Sequence, residues 1–155
     1  MGGGEGAGPP TDWSGAMTFA LRCRLVALQT AGKETVRTRS VLLVDDDTVT
    51  RERLGAILER AGFQVHLAAD GYDALVLLRG LTSSIPDVVI TDAQMPNLDG
   101  VALLRQIRSN PRFEATRTIL MSSDRAAARG ALCDAFVAKQ RLQTELTEAL
   151  IRFLG

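Results

Sequence analysis

Three consecutive aspartates, Asp45, Asp46 and Asp47, directly follow an apolar run at residues 41–44, and a fourth, Asp92, follows a second run at 88–91. A hydroxyl, Ser122, follows the run at 119–121, and an ammonium, Lys139, follows the run at 136–138. Carboxylates, a hydroxyl and a compact cation can together do phosphoryl chemistry, in which positioning and charge neutralisation supply most of the catalysis. The acids need a partner of their own. Two carboxylates about 4 Å apart repel by about 4 kcal/mol at an effective dielectric near 20, and a bound cation or a protonation change relieves that repulsion. Hard oxygen donors with room left for water suit Mg²⁺ better than zinc or a caged Ca²⁺. Lys139 stands out by usage, because the chain carries sixteen arginines and only two lysines, the other being Lys33. Lysine delivers a point charge to one anion in a tight pocket, where the broad guanidinium fork does not fit. Taken singly, each residue has an ordinary explanation: Asp47 or Thr48 suits a helix N-cap, Ser122 a loop or cap, and Lys139 a solvated surface. Their joint placement after four apolar runs argues for one site.

The elements that must position these residues are legible in the periodicity. The run Val41, Leu42, Leu43, Val44 has no alternation, as expected of a strand covered on both faces. Leu54, Ile57, Leu58 and Ala61 then recur at helical spacing, and Gly62 follows as the expected C-cap residue. The cycle repeats. Strands are predicted over 64–68, 87–90, 118–121 and 135–138, and helix faces at Ala74, Leu75 and Leu78, at Leu103, Leu104 and Ile107, and at Leu142, Leu146, Ala149, Leu150 and Phe153. Five such repeats predict an α/β domain with a doubly wound, five-stranded parallel sheet, flanked by helices on both faces through right-handed crossovers. In such sheets the functional crevice lies beyond the carboxyl ends of the strands, where strand order reverses. If strands one and three are neighbours, as in the order 2-1-3-4-5, the acids at 45, 46 and 92 converge there.

A length of 155 residues supports one ordinary domain plus a tail, and 46% hydrophobic with 23% charged residues excludes disorder throughout. Eighteen basic and eighteen acidic residues cancel, which excludes a generic nucleic-acid or anionic-membrane binder. Cys23 and Cys133 stand far apart with no nearby histidine, which speaks against a disulfide framework or zinc site and points to a reducing, cytoplasmic setting. No uncharged apolar stretch is long enough to span a membrane, since Arg22 and Arg24 interrupt the best early candidate. Residues 1–39 are expected to form an N-terminal extension, largely disordered at its glycine-rich start. Met17, Leu21, Leu25 and Leu28 there share one face of a short amphipathic helix or a loosely attached leader. The domain itself is expected over 40–155.

The segment Pro86-Asp87-Val88-Val89-Ile90-Thr91-Asp92-Ala93-Gln94-Met95-Pro96-Asn97-Leu98-Asp99-Gly100, together with Val41 to Asp47 and Arg51, resembles the receiver domain of two-component response regulators, whose fold is flavodoxin-like. The resemblance covers residues 40–155, about three quarters of the chain. It implies that Asp92 is the phosphoacceptor and that Asp46 and Asp92 bind Mg²⁺ directly. It also implies that Asp45 holds the ion partly through water and that Gln94 adds its main-chain carbonyl. Ser122 and Lys139 would bond phosphoryl oxygens, and Phe136 stands where the family has a switching aromatic, so Ser122 and Phe136 would form the switch. A sensor histidine kinase or histidine phosphotransfer protein would be the donor and a downstream protein the target, with no direct DNA binding. The chain would be a signalling domain that assists only its own phosphorylation and dephosphorylation, and not an enzyme.

Three departures from the family pattern stand out. Gln140 replaces the proline usual after the lysine, and a cis bond before a non-proline residue costs about 3 kcal/mol, so a trans bond is expected. Lys139 stands only seventeen positions after Ser122, so the fourth helix is expected to be shortened or absent. No output domain follows Gly155, which reads as a stand-alone regulator. Two rival readings fit part of the sequence. One is a non-phosphorylatable scaffold that keeps the fold for binding. The other is a haloacid-dehalogenase-type phosphatase with Asp45 as nucleophile and Asp47 as acid/base, which would need a further acidic motif where only Glu145 and Glu148 stand, at spacings suited to an exposed helix face.

Overall fold

The computed structural model describes residues 38–154, so the glycine-rich start and the predicted helix over 17–28 lie outside the described residues. Within them the elements are β1 (Ser40–Val44), α1 (Thr48–Arg60), β2 (Gln64–Ala68), α2 (Gly71–Gly80), β3 (Val88–Asp92), α3 (Gly100–Ser109), β4 (Arg117–Ser122), β5 (Ala135–Ala138) and α4 (Leu142–Leu154). The five strands form one parallel sheet in the order β2-β1-β3-β4-β5, as predicted.

The unalternating run of β1 acquires its meaning here, because its side chains point alternately into two cores. Val41 and Leu43 pack with Leu54 and Leu58 of α1 and with Leu146 and Leu150 of α4. Leu42 and Val44 pack on the opposite face with Ala74 and Leu78 of α2 and with Leu103, Leu104 and Ile107 of α3. All five residues of β1 are buried, as are all five of β3. No helix among the described residues is long and apolar enough to cross a membrane.

Some boundaries differ from the periodicity. The C-cap of α1 is Ala61, and Gly62 comes after it at φ +98°, the left-handed conformation that favours glycine. Strand β3 extends through Asp92 and β4 through Ser122, because Asp92 pairs with Met121 in register and the Ala93 amide donates to the Met121 carbonyl at 2.8 Å. The candidate acceptor Asp92 and the hydroxyl of Ser122 thus end the strands themselves.

The fourth crossover contains no α-helix. It makes one 3-10 turn, Arg125–Ala128, capped by Asp124, which bears out the predicted shortening. What closes it is a polar clamp at the far end of the sheet. The Asp134 amide donates to the Thr118 carbonyl at 3.0 Å, while Asp134 Oδ2 accepts from the Thr118 amide at 2.8 Å and from Arg108 at 2.9 Å. Glu145 does not lie on a solvated helix face as its spacing suggests. Its Oε2 accepts from the Ala138 amide at 2.8 Å, satisfying a donor on edge strand β5.

Gly100 shows how tightly α3 is set against the site. A methyl group there would lie 2.0 Å from the carbonyl oxygen of Asp92, and main chain cannot swing aside as a flexible side chain does. Overpacking of this kind costs about 1–3 kcal/mol, and a gain in helix propensity is small at the first residue of a helix. Gly100→Ala is expected to lower stability by about 2 kcal/mol in urea denaturation, with an unchanged dependence on denaturant.

Candidate functional site

The parallel pairing of β1 with β3 brings their carboxyl ends side by side, with Val44 opposite Thr91. The next residue on each strand is an aspartate, so Asp45 and Asp92 emerge together, with Asp46 beside them. One carboxylate oxygen from each of Asp45, Asp46 and Asp92 lies within 4.8 Å of the others. Asp45 is wholly buried, Asp92 is buried and Asp46 is exposed, so the group opens to solvent on one side. The predicted convergence of the three acids is therefore what the tertiary structure contains.

The surrounding bonds separate the roles of these carboxylates. Asp45 Oδ1 accepts from the Asp47 amide at 2.9 Å, while Asp45 Oδ2 is buried and has no hydrogen-bond partner. Burial pushes the Asp45 carboxyl up to about 6, with Asp92 and Asp46 adding to the rise and the Asp47 amide and Lys139 opposing it. Arg51 grips the same turn through the Asp45 carbonyl at 2.6 Å. Asp92 Oδ1 accepts from the Gln94 amide at 3.3 Å, and Asp92 Oδ2 accepts from Lys139 Nζ at 3.0 Å. Lys139 is thus already seated on the predicted acceptor, as its rarity in the chain suggested. Thr91 Oγ1 donates to the Asp92 carbonyl at 2.9 Å, a support that sequence reasoning did not single out.

Asp47 belongs to a helix cap. Its Oδ1 accepts from the Val49 amide at 3.2 Å and its Oδ2 from the Thr50 hydroxyl at 2.6 Å, and that hydroxyl is the main reason its carboxyl stays below the usual range. Ser122 is buried at the end of β4 with its Oγ accepting from the Asp124 amide at 3.0 Å. Phe136 is half-buried on β5 and packs against the core that holds Leu42, Val44 and Leu120, as do Ala127, Ala131 and Cys133 of the shortened crossover. The Lys139–Gln140 bond is trans, as expected.

The donor set fits a small hard cation. Opposite ligands on an ion with bonds of about 2.1 Å stand about 4.2 Å apart, close to the spread of these three oxygens. The unpartnered, buried Asp45 Oδ2 is the group that most needs such a charge. Nitrogen and sulfur ligands are lacking in the cluster, which disfavours zinc.

Residues 41–151 match the family model described as the response regulator receiver domain. The chain belongs to this family. The receiver is 36% identical over 118 residues to a gliding motility regulatory protein of Myxococcus xanthus, a match covering 72% of this chain and 15% of that protein. It is 37% identical over 121 residues to the response regulator Rre1 of Synechocystis, covering 74% of this chain and 51% of that protein. The chain therefore spans about half or less of these two curated relatives. Among solved structures, the receiver is similar to that of a Pseudomonas aeruginosa sensor histidine kinase, crystallised with a magnesium ion coordinated in its active-site cleft. The TM-score is 0.66 and the identity 28%, with 77% of this chain and 99% of the other covered.

The buried charge at Asp45 carries a stability consequence. Because its pKa is raised in the folded state from 3.8 to about 6, its contribution is most favourable below pH 4 and is lost as pH rises through 6. With divalent cations chelated, Asp45→Asn is expected to be more stable than wild type by about 2–3 kcal/mol at pH 7.5. That advantage should shrink as pH falls toward 4, as measured by urea denaturation at each pH.

Proposed function

We propose that this receiver domain accepts a phosphoryl group on Asp92 from a phosphohistidine of a sensor histidine kinase or histidine phosphotransfer protein, and that the acyl phosphate changes which downstream protein it binds. In the transfer, an Asp92 carboxylate oxygen forms a bond to phosphorus as the phosphorus–nitrogen bond breaks, and the departing imidazole takes a proton from solvent. The observation that carries this reading is the ammonium of Lys139, 3.0 Å from Asp92 Oδ2, beside three gathered carboxylates.

Asp45, Asp46 and Asp92, with the main-chain carbonyl of Gln94, would hold Mg²⁺. Bound there, the ion supplies charge neutralisation for the transferring group and for the crowded acids. The chain's own residues do the rest. Lys139 offsets charge at Asp92 Oδ2, and Asp45 presents its carboxylate from a fully buried position beside it. Ser122 Oγ already accepts from the Asp124 amide, so its hydroxyl proton would serve as donor to a phosphoryl oxygen. Such a bond would draw in the loop after β4 and shift an equilibrium of the neighbouring surface, where Phe136 is half-buried. Hydrolysis of the acyl phosphate resets the switch.

The phosphatase alternative lacks support in the geometry. Both oxygens of Asp47, its acid/base, are engaged in capping α1, and Glu145 is bonded to the Ala138 amide. The shortened fourth crossover is the one feature that favours a scaffold, and the gathered acids with Lys139 on Asp92 weigh against it.

Incubation with acetyl phosphate and Mg²⁺, followed by intact mass, is expected to show one added phosphoryl group on the wild type and none on Asp92→Asn. Lys139→Ala should slow uptake about 100-fold, the scale for removing one charge-stabilising donor. Chelation of the metal should stop uptake. Phosphate retained on Asp92→Asn but lost from Asp45→Asn would support the phosphatase instead.

A further inference from the structure

Ser122 and Ala138 are register partners on β4 and β5, so the loops that leave these two strands run side by side over the acidic site. One loop carries the Ser122 hydroxyl and the other carries Lys139. For both groups to act on one phosphoryl, the spacing of the two main chains must be held to within a fraction of an ångström. In an ordinary crossover of this kind an α-helix would anchor the first loop. Here the loop passes into a single 3-10 turn, and its other tie to the neighbouring chain is an Arg125–Glu145 ion pair at 3.8 Å, whose arginine is 76% exposed and worth little.

One direct bond bridges the two loops. Gln140 Nε2 donates to the Ser123 carbonyl at 3.0 Å, joining the residue that follows Lys139 to the residue that follows Ser122. The Gln140 side chain is exposed, so its contribution to burial is small and its contact with the Ser123 carbonyl is its main interaction. The anchors on either side of this bond are independent of it. Lys139 is held by Asp92, and the β5 end is held by Glu145 through the Ala138 amide.

We infer that Gln140 is a positioning residue for phosphoryl transfer at Asp92: its amide locks the Ser122–Ser123 main chain to the Lys139 loop, so that hydroxyl and ammonium face the same acceptor. The inference rests on the proposal that Asp92 is the phosphoacceptor. What the position requires is a hydrogen-bond donor on a flexible stem of about this length. Methionine keeps the stem and removes the donor, glutamate turns an acceptor toward the carbonyl, and lysine restores a donor.

The test is the rate of phosphoryl uptake by the full chain from acetyl phosphate with Mg²⁺, followed by intact mass across donor concentrations. Thermal unfolding is recorded in parallel. Gln140→Met and Gln140→Glu are expected to lower the saturating rate about fivefold, the factor that one net hydrogen bond commands, with the half-saturating donor concentration and the melting midpoint unchanged. Gln140→Lys is expected to run at or above the wild-type rate. Wild-type rates in Gln140→Met would overturn the inference while leaving Asp92 as acceptor. So would a Gln140→Lys as slow as Gln140→Met, or a fall in melting midpoint that tracks the rate. A wild type that takes up nothing, or an Asp92→Asn that still does, would remove the acceptor assignment and this inference with it.

Discussion

Asp45, Asp46 and Asp92 present oxygens within 4.8 Å of one another, two of them on buried residues. At an effective dielectric near 20 each close pair costs several kcal/mol, on the scale of a domain's whole net stability. The fold meets this repulsion in three ways. Lys139 sits against Asp92, the Asp47 and Gln94 amides donate to Asp45 and Asp92, and Asp45 is biased toward its protonated form by burial. The buried oxygen left unanswered, Asp45 Oδ2, marks where a divalent cation would do most. Strain of this kind is what makes a site responsive, because a small change in charge tips the balance among groups already held close together.

The sheet tolerates the acids because the rest of it is so apolar. Strands β1 and β3 are buried along their whole length between two cores, and the crevice is reached only by Asp92 at the end of β3 and by Asp45, which follows β1. Tight main-chain packing then carries the position of Asp92 into α3, whose first residue must be glycine to pass its carbonyl. Stability and function are thus spatially segregated along each strand: the aliphatic stretch holds the sheet and the terminal residue presents the chemistry.

The shortened fourth crossover alters how one side of the site is supported. Where a helix would bury an apolar face against the sheet, this chain uses the Asp134–Thr118–Arg108 clamp at one end and side-chain ties at the other. Hydrogen bonds at a surface contribute less than helix packing, so the loop after Ser122 is expected to be among the more easily displaced parts of the domain. That placement is useful in a switch, since the displaced segment carries the hydroxyl that would sense a phosphoryl group.

Much of this was legible in the residues themselves. Unalternating aliphatic runs, helical periodicity and punctuation by Gly62 specify strands, helices and turns locally. The rarity of lysine singled out Lys139 before any contact was known. Spacing alone pointed to the shortened or absent helix, because the sixteen residues between Ser122 and Lys139 must also hold two loops and a strand. Other features were not legible, because they depend on partners distant in the chain. Glu145 read as a solvated helix residue until β5 placed the Ala138 amide beside it, and Asp47 could be cap or catalyst until α1 was built. Which carboxylate oxygen stands unpartnered, and which residue bridges the Ser122 and Lys139 loops, also emerged only from the assembled fold. Periodicity is a local property that each segment carries alone, whereas the meeting of Asp45 with Asp92, and of Gln140 with Ser123, is created when the strands pair in one register and bring remote strand ends to a common edge.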